Sequence, residues 1–155
     1  MLDTRKTTPG FRFFEKYAVR VGGGHNHRLG LFDGVMIKDN HIATVGDIGA
    51  AVRAARGHAP VTVRIEVEAE TLAQVDAALA AGADIIMLDN MDPDAMRQAA
   101  ARVAGRAKLE ASGRVTLEEL PRVAAAGVDY ISTSAVITRA RWLDIGLDFV
   151  AEEAR

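Results

Sequence analysis

The chain has 155 residues and no cysteine. That length suits one domain and not comfortably two, and the composition excludes disulfides, zinc–thiolate centres and cysteine nucleophiles together, in keeping with a reducing cytoplasm. Nearly half the residues are apolar but only 5% are aromatic, so Ala, Val, Ile and Leu must carry the core. The net charge of −2 is unevenly spread: residues 1–58 hold 9 Lys/Arg against 5 Asp/Glu and all four His, while residues 59–155 hold 10 against 16. A basic, His-bearing first third suits an anion-binding site. The pI near 6 and the absence of a basic run interleaved with aromatics exclude a nucleic-acid binder, and no apolar run approaches the ~20 residues of a membrane span. The first six residues lack the apolar core of a signal peptide.

In chain order, Leu2 to Arg5 reads as a short strand and Phe11 to Val19 as a helix. Gly22 to Gly30 reads as a loop, Gly34 to Lys38 as a strand and Val45 to Arg56 as a helix. From there the pattern becomes regular. Val61 to Val67 is a β-branched run and predicts a buried strand. Thr71 to Ala81 carries apolar residues at helical spacing, with Thr71 as N-cap and Gly82 as the stop. Ala83 to Leu88 is a strand ending at Asp89-Asn90. Asp92-Pro93 opens a helix that runs to Val103. Lys108 to Ala111 is a strand ending at Ser112-Gly113. Thr116 to Ala126 is a helix with a capping box from Thr116 to Glu119, and Val128 to Ser132 is the last strand.

The segments Ala80-Ala81-Gly82-Ala83-Asp84-Ile85-Ile86 and Ala125-Ala126-Gly127-Val128-Asp129-Tyr130-Ile131 resemble one another 45 residues apart, two strand–helix units of about 22. So short a repeat predicts parallel strands in one α/β domain over residues 1–155. The expected product is a TIM-like parallel barrel left incomplete at about six strands. A doubly wound open sheet is the alternative, though Gly22-Gly23-Gly24 lacks the spacing of a dinucleotide fingerprint.

In such a barrel the chemistry sits at the carboxyl ends of the strands. Those ends are Arg5-Lys6, Lys38-Asp39-Asn40-His41, Glu66-Val67-Glu68, Asp89-Asn90, Glu110-Ala111-Ser112-Gly113 and Ser132-Thr133-Ser134. Arg and Lys can neutralise a carboxylate or phosphate, and carboxylates can hold sugar hydroxyls or a hydrated Mg²⁺ ion. Ser-Gly turns offer backbone N–H groups and a hydroxyl to a phosphate. In isolation Arg5 and Lys6 would be solvated charges, and His27 and Arg28 would be surface groups of a Gly-rich loop. Glu66 and Glu68 share one strand face, so a mouth-facing Glu68 leaves Glu66 deeper, needing a partner near Arg64 or at Lys108. Phe11, Phe13 and Phe14 read as packing or as uncovered surface.

Seven segments in register resemble the quinolinate phosphoribosyltransferase family (nicotinate-nucleotide pyrophosphorylase, carboxylating). They are Asp3 to Gly10 (DTRKTTPG), Gly22 to Leu31 (GGGHNHRLGL), Met36 to His41 (MIKDNH), Ile65 to Glu68 (IEVE), Met87 to Asn90 (MLDN), Glu110 to Gly113 (EASG) and Leu143 to Asp148 (LDIGLD). The resemblance spans essentially the whole chain and corresponds to the family's barrel domain. It implies a Mg²⁺-dependent transfer of phosphoribose from phosphoribosyl pyrophosphate to quinolinate, with loss of CO₂, in cytoplasmic NAD biosynthesis. It implies that Arg5, Lys6, His27, Arg28 and Lys38 line the quinolinate pocket. Glu68 and Asp89 would hold ribose hydroxyls and, through water, the Mg²⁺–pyrophosphate. Ser112, Gly113, Thr133 and Ser134 would cradle the 5′-phosphate, and catalysis would fall to Lys38, Glu68 and Asp89.

Two departures from the family pattern bear on the phosphate cradle. Arg114 stands where a second glycine is usual, and the run Ser132 to Arg139 lacks the family's histidine. The family's N-terminal α/β domain, which caps a partner subunit's site in a homodimer or higher homo-oligomer, is also not represented. The resemblance therefore leaves open a fragment, a misplaced start or half of a split enzyme. The alternatives in activity are a related transferase for another pyridine or pyrimidine acid, and an inactive barrel fragment that only associates with a complete partner.

Overall fold

The computed structural model describes residues 1–113 and 115–149; Arg114, and with it the departure at the second glycine, lies outside them. Five parallel strands follow one another around a single sheet in the order β1-β2-β3-β4-β5. They are β1 (Val35–Ile37), β2 (Ile65–Ala69), β3 (Ile85–Asp89), β4 (Lys108–Ser112) and β5 (Tyr130–Ile131). The connecting helices are α1 (Arg12–Val21), α2 (Asp39–Val45), α3 (Ile48–His58), α4 (Leu72–Ala80), α5 (Pro93–Val103), α6 (Leu120–Ala124) and α7 (Ala135–Thr138). Sequential parallel neighbours joined by helices are the barrel topology, and no ladder joins β1 back to the chain's start among the described residues.

The expected sixth strand is present only as a bridge. Leu2 pairs in parallel with Ser132 on one side and His25 on the other. Asp3 N–H still donates to His25 O at 3.2 Å, and its side chain is consumed in a buried network. The seam between residues 25–28 and β1 is spanned by a side chain: Arg28 Nη1 donates to Gly34 O at 3.0 Å.

Strand alternation sorts the residues onto two faces. Ile37, Ile65, Val67, Ala69, Ile86, Leu88, Leu109 and Ala111 point outward and pack against Val52, Val75, Ala78, Met96, Ala99 and Val103 of the helices. The inward face carries Met36, Glu66, Glu68, Met87, Asp89, Glu110 and Ser112. The apolar core is thus the layer between strands and helices, and the barrel's interior is polar.

Several boundaries differ from the sequence expectation, each for a local reason. The helix expected over Val45–Arg56 begins only at Ile48, because Gly46 adopts φ +106° and Asp47 caps the start at Ala50 N, and α2, which was not expected, precedes it. Residues 61–64 form a turn rather than strand, so β2 begins at Ile65, and Val61 is fully exposed. The Thr116–Glu119 contacts form as expected, but they close a turn, and the helix proper begins at Leu120. Thr71 and Gln74 do form a capping box on α4, a device worth about 1 kcal/mol.

Candidate active site

An open cleft of about 880 Å³ lies over the carboxyl ends of the strands. All eleven site residues expected from the sequence line it: Arg5, Lys6, His27, Arg28, Lys38, Glu68, Asp89, Ser112, Gly113, Thr133 and Ser134. They come from both ends of the chain and every strand between, so the barrel brings them together. His25 and His41 lie outside it; His41 accepts the Lys38 N–H through Nδ1 at 3.0 Å and helps start α2.

The basic wall is built on one buried carboxylate. Asp3 Oδ1 accepts from Lys16 Nζ at 2.6 Å and from His27 N at 2.7 Å, and Asp3 Oδ2 accepts from Asn26 Nδ2 at 2.6 Å. This ties the first residues, α1 and the 25–28 loop into one unit. It leaves Arg5, His27 and Arg28 side by side at the mouth. Burial lowers the Arg28 pKa, and the Arg5 charge beside it lowers it further. Arg5 Nε is buried with no hydrogen-bond partner. Two crowded guanidiniums with a buried, unused donor have the chemistry to receive an anion.

The acidic wall faces it. Lys38, at the end of β1, pairs with Glu68 at the end of β2. Asp89 ends β3, where its Oδ2 accepts from Asn90 Nδ2 at 3.0 Å. Glu68 and Asp89 thus place hard oxygen donors at the ends of adjacent strands, a donor set that fits a hydrated Mg²⁺ ion.

The hydroxyl-bearing rim is more committed than the sequence suggests. Thr133 Oγ1 accepts from Ala135 N at 3.1 Å, so this hydroxyl is engaged in starting α7. Gly113 sits at φ +121°, and a Cβ there would lie 2.5 Å from Asn90 Oδ1. Gly113→Ala should therefore lower the melting temperature by roughly 3–10 °C, from about 1–3 kcal/mol of backbone strain and displacement. An unchanged melting curve would show that the turn has room.

Sequence reasoning missed the floor. Glu66 pairs with neither Arg64 nor Lys108; Lys108 binds Asp129 at 2.5 Å. The partner is His27, whose Nε2 lies 3.1 Å from Glu66 Oε2 and 3.5 Å from Glu110 Oε2. Burial lowers the His27 pKa, but the pull of Glu110 and Glu66 outweighs it and raises the group to about 9. Burial in turn raises the Glu66 carboxyl. His27 Nδ1 accepts the Arg28 N–H at 2.7 Å, which favours the neutral ring. The carboxylates favour the imidazolium. Both states keep the proton on Nε2. Only contact between residues 27, 66 and 110 reveals this cluster, and no local pattern carries that signal.

Comparison with known proteins agrees with this geometry. Residues 1–148 match the family model described as quinolinate phosphoribosyl transferase, C-terminal domain. The chain is 55% identical over 146 residues to a probable nicotinate-nucleotide pyrophosphorylase [carboxylating] of Bacillus subtilis, covering 94% of this chain and 50% of that protein. It is 42% identical over 153 residues to the human nicotinate-nucleotide pyrophosphorylase [carboxylating], covering 97% and 52%. Among solved structures, NadC from Streptococcus pyogenes superposes with a TM-score of 0.88 at 50% identity, covering 92% of this chain and 50% of that one. The chain spans about half the length of the curated relatives it matches. With its motifs, topology and strand-end cleft in agreement, the chain belongs to the quinolinate phosphoribosyltransferase family and corresponds to that family's C-terminal domain.

Proposed function

We propose that this domain carries the active-site cleft for phosphoribosyl transfer from phosphoribosyl pyrophosphate to quinolinate. The products are nicotinate mononucleotide, pyrophosphate and CO₂, in cytoplasmic NAD biosynthesis. The observation that carries the reading is the pairing of Arg5 and Arg28, crowded together with a buried unpartnered Nε, across the cleft from Glu68 and Asp89. A ring with two carboxylates matches the first wall, with Lys6, His27 and Lys38 beside the guanidiniums. A sugar that develops positive character as pyrophosphate departs matches the second. Ser112 and Gly113, with the Thr133-Ser134 turn, are the proposed rim for the 5′-phosphate.

The chain's own groups supply positioning and charge. Arg5 and Arg28 fix the diacid so that its ring nitrogen faces the anomeric carbon. Glu68 and Asp89 would hold the ribose hydroxyls and, through water, Mg²⁺, whose charge would offset that of the pyrophosphate. Lys38 is neutralised by Glu68 in the free cleft, and an entering carboxylate would compete for it. Once the ring nitrogen is alkylated, its positive charge stabilises the electron pair that departing CO₂ leaves on the 2-carbon in the ring plane, and that carbon then takes up a proton in place of the carboxylate. A homodimer or higher homo-oligomer, with a partner's N-terminal domain over the cleft, is the assembly this reading expects.

Incubating the purified chain with quinolinate, phosphoribosyl pyrophosphate and Mg²⁺ tests the reading, with nicotinate mononucleotide as the product sought. Quinolinate binding without turnover would place the missing contribution outside this domain. Neither binding nor turnover, together with tight association with a complete homologue, would replace the reading with that of a barrel that only associates.

A further inference from the structure

The His27, Glu66 and Glu110 cluster lies beneath the cleft, and the reaction as described does not use its two carboxylates. We propose that Glu66 and Glu110 are positioning residues that act through His27, taking its Nε2–H from below so that the ring fixes the Arg28 backbone and aims the guanidinium at the mouth. This rests on the reading of the mouth as a quinolinate pocket.

The two acids sit on the inward faces of β2 and β4 and are 4% and 1% exposed. Burying a carboxylate is costly unless a donor meets it. Their neighbours in register, Met36, Ile85, Met87 and Tyr130, supply no cation. The nearby lysines are committed elsewhere, Lys38 to Glu68 and Lys108 to Asp129. Glu66 Oε1 and both oxygens of Glu110 have no hydrogen-bond partner, so the ring nitrogen at 3.1 and 3.5 Å is the donor that faces both acids. His27 lines both the cleft and a second cavity of about 450 Å³ below it, while Glu66 and Glu110 line only the lower one. The ring therefore forms a partition, braced from one side.

The brace reaches Arg28 directly. Its N–H donates to Nδ1 of the same ring at 2.7 Å, and its guanidinium donates to Gly34 O across the barrel seam. A ring free to turn would release the first of these contacts and loosen the loop that sets the second.

The three groups also have the spacing of a metal site, with ligand atoms all within 4.8 Å of one another. The hydrogen bonding opposes that reading. A metal-ligating imidazole needs a bare nitrogen toward the metal and donates its other N–H outward. Here the outward nitrogen accepts, so the nitrogen facing the carboxylates bears the proton.

Long-range ¹H–¹⁵N spectra of the histidine rings in this chain, with His27 assigned by a His27→Gln variant, test the proposal. Wild type should show a protonated Nε2 on His27; a bare Nε2, or a ring converted to Nδ1–H on adding Zn²⁺, would overturn it. Glu66→Ala, which removes the nearer acid at 3.1 Å, should give mixed ring tautomers and weaken quinolinate binding about 10-fold, the scale of losing an orienting partner. Glu66→Gln, whose amide oxygen still accepts, should restore both. Wild-type ring shifts and affinity in folded Glu66→Ala would sink the idea. If that variant does not fold, the wild-type spectrum and Glu66→Gln decide. A wild-type chain with the expected ring signature but no affinity for quinolinate would refute the substrate reading while leaving the brace intact.

Discussion

Asp3→Ala should destabilise the chain by about 3–5 kcal/mol, the cost of breaking a buried ion pair from one side. The Lys16 ammonium is 3% exposed and would keep only the His27 carbonyl, at 2.9 Å. The Asn26 amide and the His27 N–H would lose their acceptor as well. Since domains are stable by only about 5–15 kcal/mol, a large part of the margin would go. Asp3→Asn should fall between the two, keeping an acceptor but not the charge. Asp3→Asn with Lys16→Met should recover part of the loss, because no charge is then buried. Urea unfolding followed by circular dichroism reads all three. A loss under about 1 kcal/mol for Asp3→Ala would show that Lys16 reaches water after all.

The same residue shows where sequence reasoning reached its limit. Asp3 stands in a motif whose cations, Arg5 and Lys6, announce themselves by residue type. Its own role requires knowing that Lys16, Asn26 and His27 converge on it from 13 to 24 residues away. From Ile65 to Ser112 the fold was legible because the strands' outward residues repeat every second position and the two helices between them begin at capping residues. Thr71 and Asp92 mark their starts by side-chain hydrogen bonds that the structure contains. The earlier third was harder. Its strand β1 has only three residues, α2 lies in a segment that reads as a strand end, and Gly46-Asp47, a stop followed by a cap, fell at the start of the expected helix. The strand-end rule grouped the mouth residues correctly because it depends only on chain direction. It could not supply the floor, since Glu66 meets His27 across the barrel's interior, and the cations near Arg64 or at Lys108 offered a false solution.

Lys38→Ala should weaken quinolinate binding about 10- to 100-fold, corresponding to roughly 1.5–3 kcal/mol for a charge-assisted contact. Two effects add. The variant removes a cation from the proposed anion pocket, and it frees the Glu68 carboxylate that Lys38 neutralises, leaving the cleft more negative by one charge. Stability should change by less than about 1 kcal/mol, because the Lys38 side chain is 43% exposed and exposed pairs contribute little. This separates the variant from Asp3→Ala, where fold and site fail together. Lys38→Arg keeps the charge but spreads it over a planar fork in place of a compact ammonium, so partial recovery is expected. Glu68→Gln in the Lys38→Ala background should regain some affinity by removing the freed charge, though at the expense of the acidic wall. Calorimetric titration of this chain at low and moderate salt gives the comparison, with the wild-type affinity falling more steeply as salt rises. Equal quinolinate affinity in wild type and Lys38→Ala would remove Lys38 from the basic wall and leave Arg5 and Arg28 to hold the diacid alone.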